Sequence, residues 1–233
     1  MSVILDPSDD PPGRTLSPLH EPYPASVAGY AFRMKILLVG AGGTIGHAVF
    51  AALRDRHHVV SASRRAGDHH VDIDDPSSIR DLYHAAGAID AVVCCAGGAG
   101  FAPLRQLTDD QWRLSVESKL MGQINLVRYG IDHVPATGSF TLTSGILATQ
   151  PAPGTAAITA VNAALEGFTR AAALDLDGGP RINCVSPGWV SETLAAMARD
   201  PSNGTPAATV AKRYVDAVEG KYTGQVLAAV GRP

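Results

Sequence analysis

From Lys35 onward, short apolar runs alternate with stretches of helical periodicity. KILLVGA (35–41) is continuously apolar, as a strand covered on both faces must be. A helix is expected over roughly 45–56, followed by strands in HVVSAS (58–63) and, briefly, HVDID (70–74). Only RRAGDH intervenes between those two strands, too few residues for a helix. Helices expected over about 77–86, 108–133, 155–176 and 206–219 then alternate with strands in DAVVCCAG, GSFTLTSG, RINCVSPG and GQVLAAVG. Pro76 marks the start of the first of these helices and a Thr108-Asp109-Asp110 cap the start of the second. Because crossovers between parallel strands are right-handed, this order implies an α/β, doubly wound sheet. Seven mostly parallel strands would carry helices on both faces, in a single domain over 34–233.

The first turn carries the clearest chemistry. After the first strand come Gly40, Gly42, Gly43, Thr44, Ile45 and Gly46, placed where a buried strand hands over to a helix. Such a turn lets the backbone approach a pyrophosphate, and the helix then presents its N-terminal amides to the negative charge. The expectation is a Rossmann-type nucleotide site. Its preference is set at the end of the second strand, where an NAD site would carry an acidic residue for the ribose hydroxyls. Here Ser63, Arg64 and Arg65 stand instead. A guanidinium matches a 2′-phosphate and a carboxylate would repel it, so NADP(H) is favoured over NAD(H). Asp72 is a candidate acceptor for the adenine amino group, or a strand-end turn residue.

Composition narrows the field without changing this picture. With 45% hydrophobic and 18% charged residues, the chain has ample material for one core. A formal charge of −3 and scattered basic residues give no reason to expect nucleic acid, and no apolar stretch is long enough for a membrane span. Cys94, Cys95 and Cys184 fall in strand-like runs as small buried residues, which suits a cytoplasmic location. Residues 1–33 are rich in Pro, Asp and Ser and show neither period. They read as an extension or as an arm packed on a partner subunit, and they lack the apolar core of a secretory signal.

The glycine turn, VDIDD after the third strand and CCAGG after the fourth together resemble the short-chain dehydrogenase/reductase family. GSFTLTSG resembles the strand that carries that family's catalytic serine, here Ser144. ALEGFTRAAALDL resembles the helix after its catalytic Tyr and Lys, and RINCVSPGWVSET its nicotinamide loop. The resemblance runs from Met34 to the C-terminal end. It implies that Pro187, Gly188 and the backbone of Val190 cradle the nicotinamide, and that Cys95, Ala96 and Gly97 line the adenosine ribose. SKLMGQ and LTSGIL mark a short, divergent branch.

The family's reaction uses a Tyr-x-x-x-Lys pair, in which lysine lowers the tyrosine pKa so that the phenol can exchange a proton with substrate. The resemblance places Ile158 and Asn162 at those positions. No tyrosine occurs from 130 to 213 and no lysine from 120 to 211, so no shift of alignment restores the pair. Conversely, Lys119 stands where the family has a structural Asn. One reading is that the ammonium has crossed the site, to hold the nicotinamide ribose or act as general acid; the other is a surface lysine. Ser144 is the leading candidate to meet a substrate oxygen. Thr143 lies beside it on the opposite strand face, and Thr159 and Asn162 are further candidates. His57, His58, His69 and His70 flank the second and third strands, but adjacent histidines on a strand diverge, so no metal site is expected. The segment 191–206 sits where the family has its substrate lid and reads as a mobile or plain loop.

Three functions remain open on the sequence. The first is an NADP(H)-dependent oxidoreductase acting on a small carbonyl, alcohol, imine or activated alkene. The second is a non-redox cyclase, isomerase or dehydratase on the same fold, and the third a non-catalytic NADP-binding protein. A small-molecule substrate is expected, with no nucleic-acid or membrane partner. The Ala-rich helix and the long helix before it suggest a homodimer or homotetramer.

Overall fold

A computed structural model describes residues 33–231. The expected extension lies, Arg33 apart, outside the described residues. Seven parallel strands form one sheet in the order β3-β2-β1-β4-β5-β6-β7. They are β1 (Lys35–Val39), β2 (His58–Ser63), β3 (His69–His70), β4 (Ala91–Cys94), β5 (Ser139–Thr143), β6 (Arg181–Pro187) and β7 (Val226–Ala229). The pleat sorts β1 into two cores. Leu37 and Val39 pack on one face with α2 (Pro76–Ala86), α4 (Gln123–Gly130) and α5 (Ala156–Asp175). Ile36 and Leu38 pack on the other with α1 (Thr44–Leu53) and α7 (Ala207–Glu219). Strand order reverses beside β1, so the carboxyl ends of β1 and β4 open the crevice where such sheets bind ligands.

Three elements depart from the sequence expectation. β3 is two residues long, because carboxylates bend the chain that follows it. Asp72 Oδ1 accepts from Asp74 N at 3.2 Å, and Asp75 caps α2 through Ser77 N at 2.8 Å. The long helix is not uniform. It opens as α3 (Asp109–Leu114) on a capping box between Thr108 and Gln111, then widens to a π-helical segment over Ser115–Gly122 before α4. The segment expected as a loop after Val190 contains a short helix, α6 (Ser191–Ala196). Among the described residues, no helix is long and apolar enough to cross a membrane.

Candidate active site

The glycine turn leaves no room for side chains at two points. Gly40 adopts φ +87°, and a Cβ there would stand 2.8 Å from Ala96 N. A Cβ on Gly46 would fall 2.0 Å from Gly40 O, so only glycine lets α1 start this close to the strand. Beside the turn lies a cavity of about 590 Å³. Gly40, Gly42, Gly43, Ser63, Arg64, Arg65, Cys95, Ala96 and Gly97 stand in its walls. Val71 and Ile73 supply its apolar side. Ser63 also shapes the rim, accepting from Ala66 N at 3.0 Å. Asp72 is not in the wall; it serves the turn described above. Thr44 and His47 face an adjoining space of about 420 Å³, while Ile45 packs into the core. Glu192 of α6 borders that space and holds the N-terminus of α7, accepting from Ala207 N at 3.1 and 2.9 Å.

A second, smaller cavity of about 140 Å³ lies at the carboxyl ends of β5 and β6. It brings together Ser144, Ile158, Asn162, Pro187 and Gly188 with Phe101, Ile146, Leu147 and Trp189. Thr159 is not among the walls, and Val190 turns into the core. Ser144 Oγ donates to Glu166 Oε1 at 3.0 Å, and both residues are buried. Asn162 is 2% exposed; its Nδ2 lies 3.5 Å from Gly145 O and its Oδ1 has no partner. Thr143 faces away, as strand alternation requires. Its hydroxyl donates to Cys94 O at 2.5 Å and lies 2.7 Å from the Tyr214 hydroxyl.

Lys119 is buried rather than on the surface. Its Nζ donates to Thr143 O at 3.1 Å and Ser144 O at 3.3 Å, tying the π-helical segment to the end of β5. It lies in the wall of neither cavity. Burial pushes its pKa below the usual lysine value. Burial also raises the Cys94 thiol to about 12 and lifts the Tyr214 phenol well above its ordinary range. The widened helix has a second task. Ser115 Oγ and Ser118 Oγ accept from Gly100 N at 2.8 Å and Gly98 N at 3.1 Å, fixing the glycine loop after β4.

Gln123 closes this junction. Its amide donates to Lys119 O at 3.0 Å and Thr143 O at 2.9 Å and accepts from Thr143 N at 2.8 Å. A Gln123→Leu change would strand the Thr143 N–H and is expected to cost about 2–4 kcal/mol, read as a lower urea midpoint with an unchanged slope.

After Trp189 of the smaller cavity's wall, the segment 191–204 forms an excursion closed at its base. Ser191 N donates to Thr205 O at 3.1 Å and Thr205 N to Trp189 O at 2.8 Å. Arg199 stacks 5.0 Å from the Trp189 ring centroid.

Sequence reasoning missed Gln123, Glu166, Glu192, Trp189, Phe101 and Tyr214. One signal was present for Glu166. It follows Ile158 and Asn162 at intervals of four, on the face of α5 that is buried.

The family model described as enoyl-(acyl carrier protein) reductase matches residues 39–227. The chain is 30% identical over 194 residues to the cis-4-hydroxycyclohexanecarboxylate dehydrogenase of Sinomonas cyclohexanicum, covering 72% of this chain and 78% of that enzyme. It is 31% identical over 119 residues to hydroxynaphthalene reductase arp2 of Aspergillus fumigatus, covering 51% of this chain but 44% of that one. Among solved structures, the protein lin1944 from Listeria innocua superimposes with a TM-score of 0.80 at 40% identity, over 84% of this chain and 98% of that one. A small-chain dehydrogenase in complex with NADPH gives 0.74 at 25% identity, over 84% and 96%. With the seven-stranded parallel sheet and the glycine turn that opens it, these matches place the chain in the short-chain dehydrogenase/reductase family.

Proposed function

We propose that this chain is an NADP(H)-dependent oxidoreductase that transfers hydride at the cavity between Ser144, Asn162 and Trp189. The carrying observation is the wall of the larger cavity. Arg64 and Arg65 stand there, no carboxylate does, and neither arginine is ion-paired among the described residues. A 2′-phosphate would meet two open guanidinium groups, whereas a ribose diol would find no acidic acceptor.

The residues fit the dinucleotide. Gly40 and Gly46 leave the turn open for a pyrophosphate at the N-terminus of α1, and the unpartnered Asn162 Oδ1 needs a donor in the smaller cavity. Cys95, Ala96 and Gly97 would border the adenosine ribose, and Pro187 and Gly188 the nicotinamide, which when bound supplies the hydride. Ser144, through Glu166, and Asn162 would orient the substrate, while Phe101, Ile146 and Trp189 exclude water. Lys119 and Gln123 would act at one remove, by holding the end of β5. Ile158 and Asn162 stand in place of the family's Tyr and Lys, so the cavity lacks the usual phenol. The free cysteines suit the cytoplasm. The exposed alanines of α5, together with Leu174 at 79% exposure, suit a homodimer or homotetramer.

Titration with NADPH and NADH tests the cofactor reading. The Arg64→Ser, Arg65→Ser double variant is expected to bind NADPH about 10–100-fold more weakly, with NADH affinity changed less than about threefold. Equal wild-type affinity for the two cofactors would overturn the preference.

A further inference from the structure

The smaller cavity accepts hydrogen bonds but has no proton to release. Its walls contain no carboxylic acid, histidine, tyrosine, lysine or cysteine. Ser144 Oγ spends its O–H on Glu166 Oε1, and the oxygen's lone pairs remain to accept. Asn162 Oδ1 is a second, buried acceptor without a partner. The Asn162 amide and the Trp189 indole can donate hydrogen bonds, yet neither gives up a proton near neutral pH. Lys119 points its Nζ at main-chain carbonyls and is in no wall of the cavity.

This pattern suits a carbonyl poorly. Reducing a ketone turns its oxygen into an alkoxide that must be protonated, and no acidic side chain lines the cavity. It suits a C=N cation well. A positively charged N–H would donate to Ser144 Oγ, which passes the interaction to the buried carboxylate of Glu166, 7% exposed. Phe101 and Trp189 add aromatic rings, and Trp189 already carries one cation, the exposed guanidinium of Arg199. The cavity of about 140 Å³ must also receive the nicotinamide beside Pro187 and Gly188, so the reacting part of the substrate is small.

We propose that the substrate is a small iminium cation, reduced to an amine by hydride alone. The inference rests on the NADP(H) reading above. The iminium carbon takes the hydride from NADPH, the C=N π pair moves onto nitrogen and cancels its charge, and NADP⁺ is released. No proton is taken up, so the absence of tyrosine carries no penalty. Glu166 is in this scheme a positioning residue, acting through Ser144.

The test follows NADPH oxidation with 2-methyl-1-pyrroline at a pH where it is the N–H pyrrolinium cation, with its N-methyl pyrrolinium salt as the cation that lacks the N–H, and with cyclopentanone, alongside NADPH binding by fluorescence. The protonated pyrroline is expected to exceed cyclopentanone at least about 100-fold in kcat/KM, and its N-methyl salt by a smaller factor. Glu166→Gln is expected to reduce that preference at least about 10-fold, mainly through KM, and Ser144→Ala to do likewise. Cyclopentanone reduced as fast as the pyrrolinium salt would overturn the proposal. So would NADPH binding with no turnover of either nitrogen compound, or a preference unchanged in both variants. Failure of NADPH to bind would instead overturn the cofactor reading on which the proposal stands.

Discussion

A Gly46→Ala variant is expected to lose NADPH affinity by at least about 100-fold and to unfold at a lower temperature. Its new methyl group would sit 2.0 Å from Gly40 O and within 2.9 Å of Ala41 Cα, both main-chain atoms of the turn itself. No side chain can swing away, so the turn or the start of α1 must move. Overpacking of this kind costs about 1–3 kcal/mol in stability, and the displaced amides would no longer face a pyrophosphate. Gly42→Ala is the informative partner. A Cβ there meets no protein atom within 4 Å, but Gly42 lines the cleft. That variant should keep its Tm while binding NADPH more weakly. Fluorescence titration with thermal melts separates the two effects. Affinity of Gly46→Ala within about threefold of the wild type would overturn the assignment of the turn.

The second large effect concerns Lys119. At pH 7, Lys119→Met removes donors to Thr143 O and Ser144 O, bonds worth about 1.5–3 kcal/mol each, and also removes the burden of burying an amine. The net loss should stay under about 3 kcal/mol, and its pH dependence is the diagnostic. Burial lowers the folded pKa below the unfolded value of 10.5. Between those two pKa values the unfolded chain holds a proton that the folded chain does not, so stability rises with pH. Below the lowered value both states are protonated and the contribution is level. The wild type should therefore gain on Lys119→Met as pH climbs towards 10.5. Urea midpoints of both proteins at a series of pH values measure this, and parallel curves would show that Lys119 is not desolvated.

Why some of this was legible in the sequence and some was not follows from where each signal resides. β1 is found at Lys35–Val39, within the expected run, because burial on both faces leaves a continuous apolar run that needs no knowledge of its neighbours. The glycine turn was equally local: strand, glycines and helix follow one another within a dozen residues. Lys119 was ambiguous, since SKLMGQ has no clear polar face and the widened turn that buries the lysine is held by a distant loop, through Gly98 and Gly100. Glu166 was missed because one acid among alanines reads as a solvated residue until the end of β5 is packed against it. α6 is six residues long, less than two turns, so it offers no period to detect and its Pro and Gly neighbours suggest a loop. Asp72 stayed open between a ligand acceptor and a turn residue because both leave a carboxylate at a strand end; in the structure its Oδ1 accepts from Asp74 N.

The closure at Thr205 bears on how this protein can change. The chain leaves the carboxyl end of β6 at Trp189, wanders for fourteen residues and is pinned back to the same spot by two main-chain bonds. Those bonds belong to the backbone, so they do not depend on which side chains lie between them. Lengthening such a detour costs little, because the entropy of closing a loop grows only with the logarithm of its length. Residues 197–203, beyond Glu192 and the buried Leu194, can therefore be rewritten, lengthened or exchanged while Trp189 and Thr205 keep their places and the nucleotide cleft goes undisturbed. New substrate preferences would be gained by grafting there, with the fold acting as a fixed chassis.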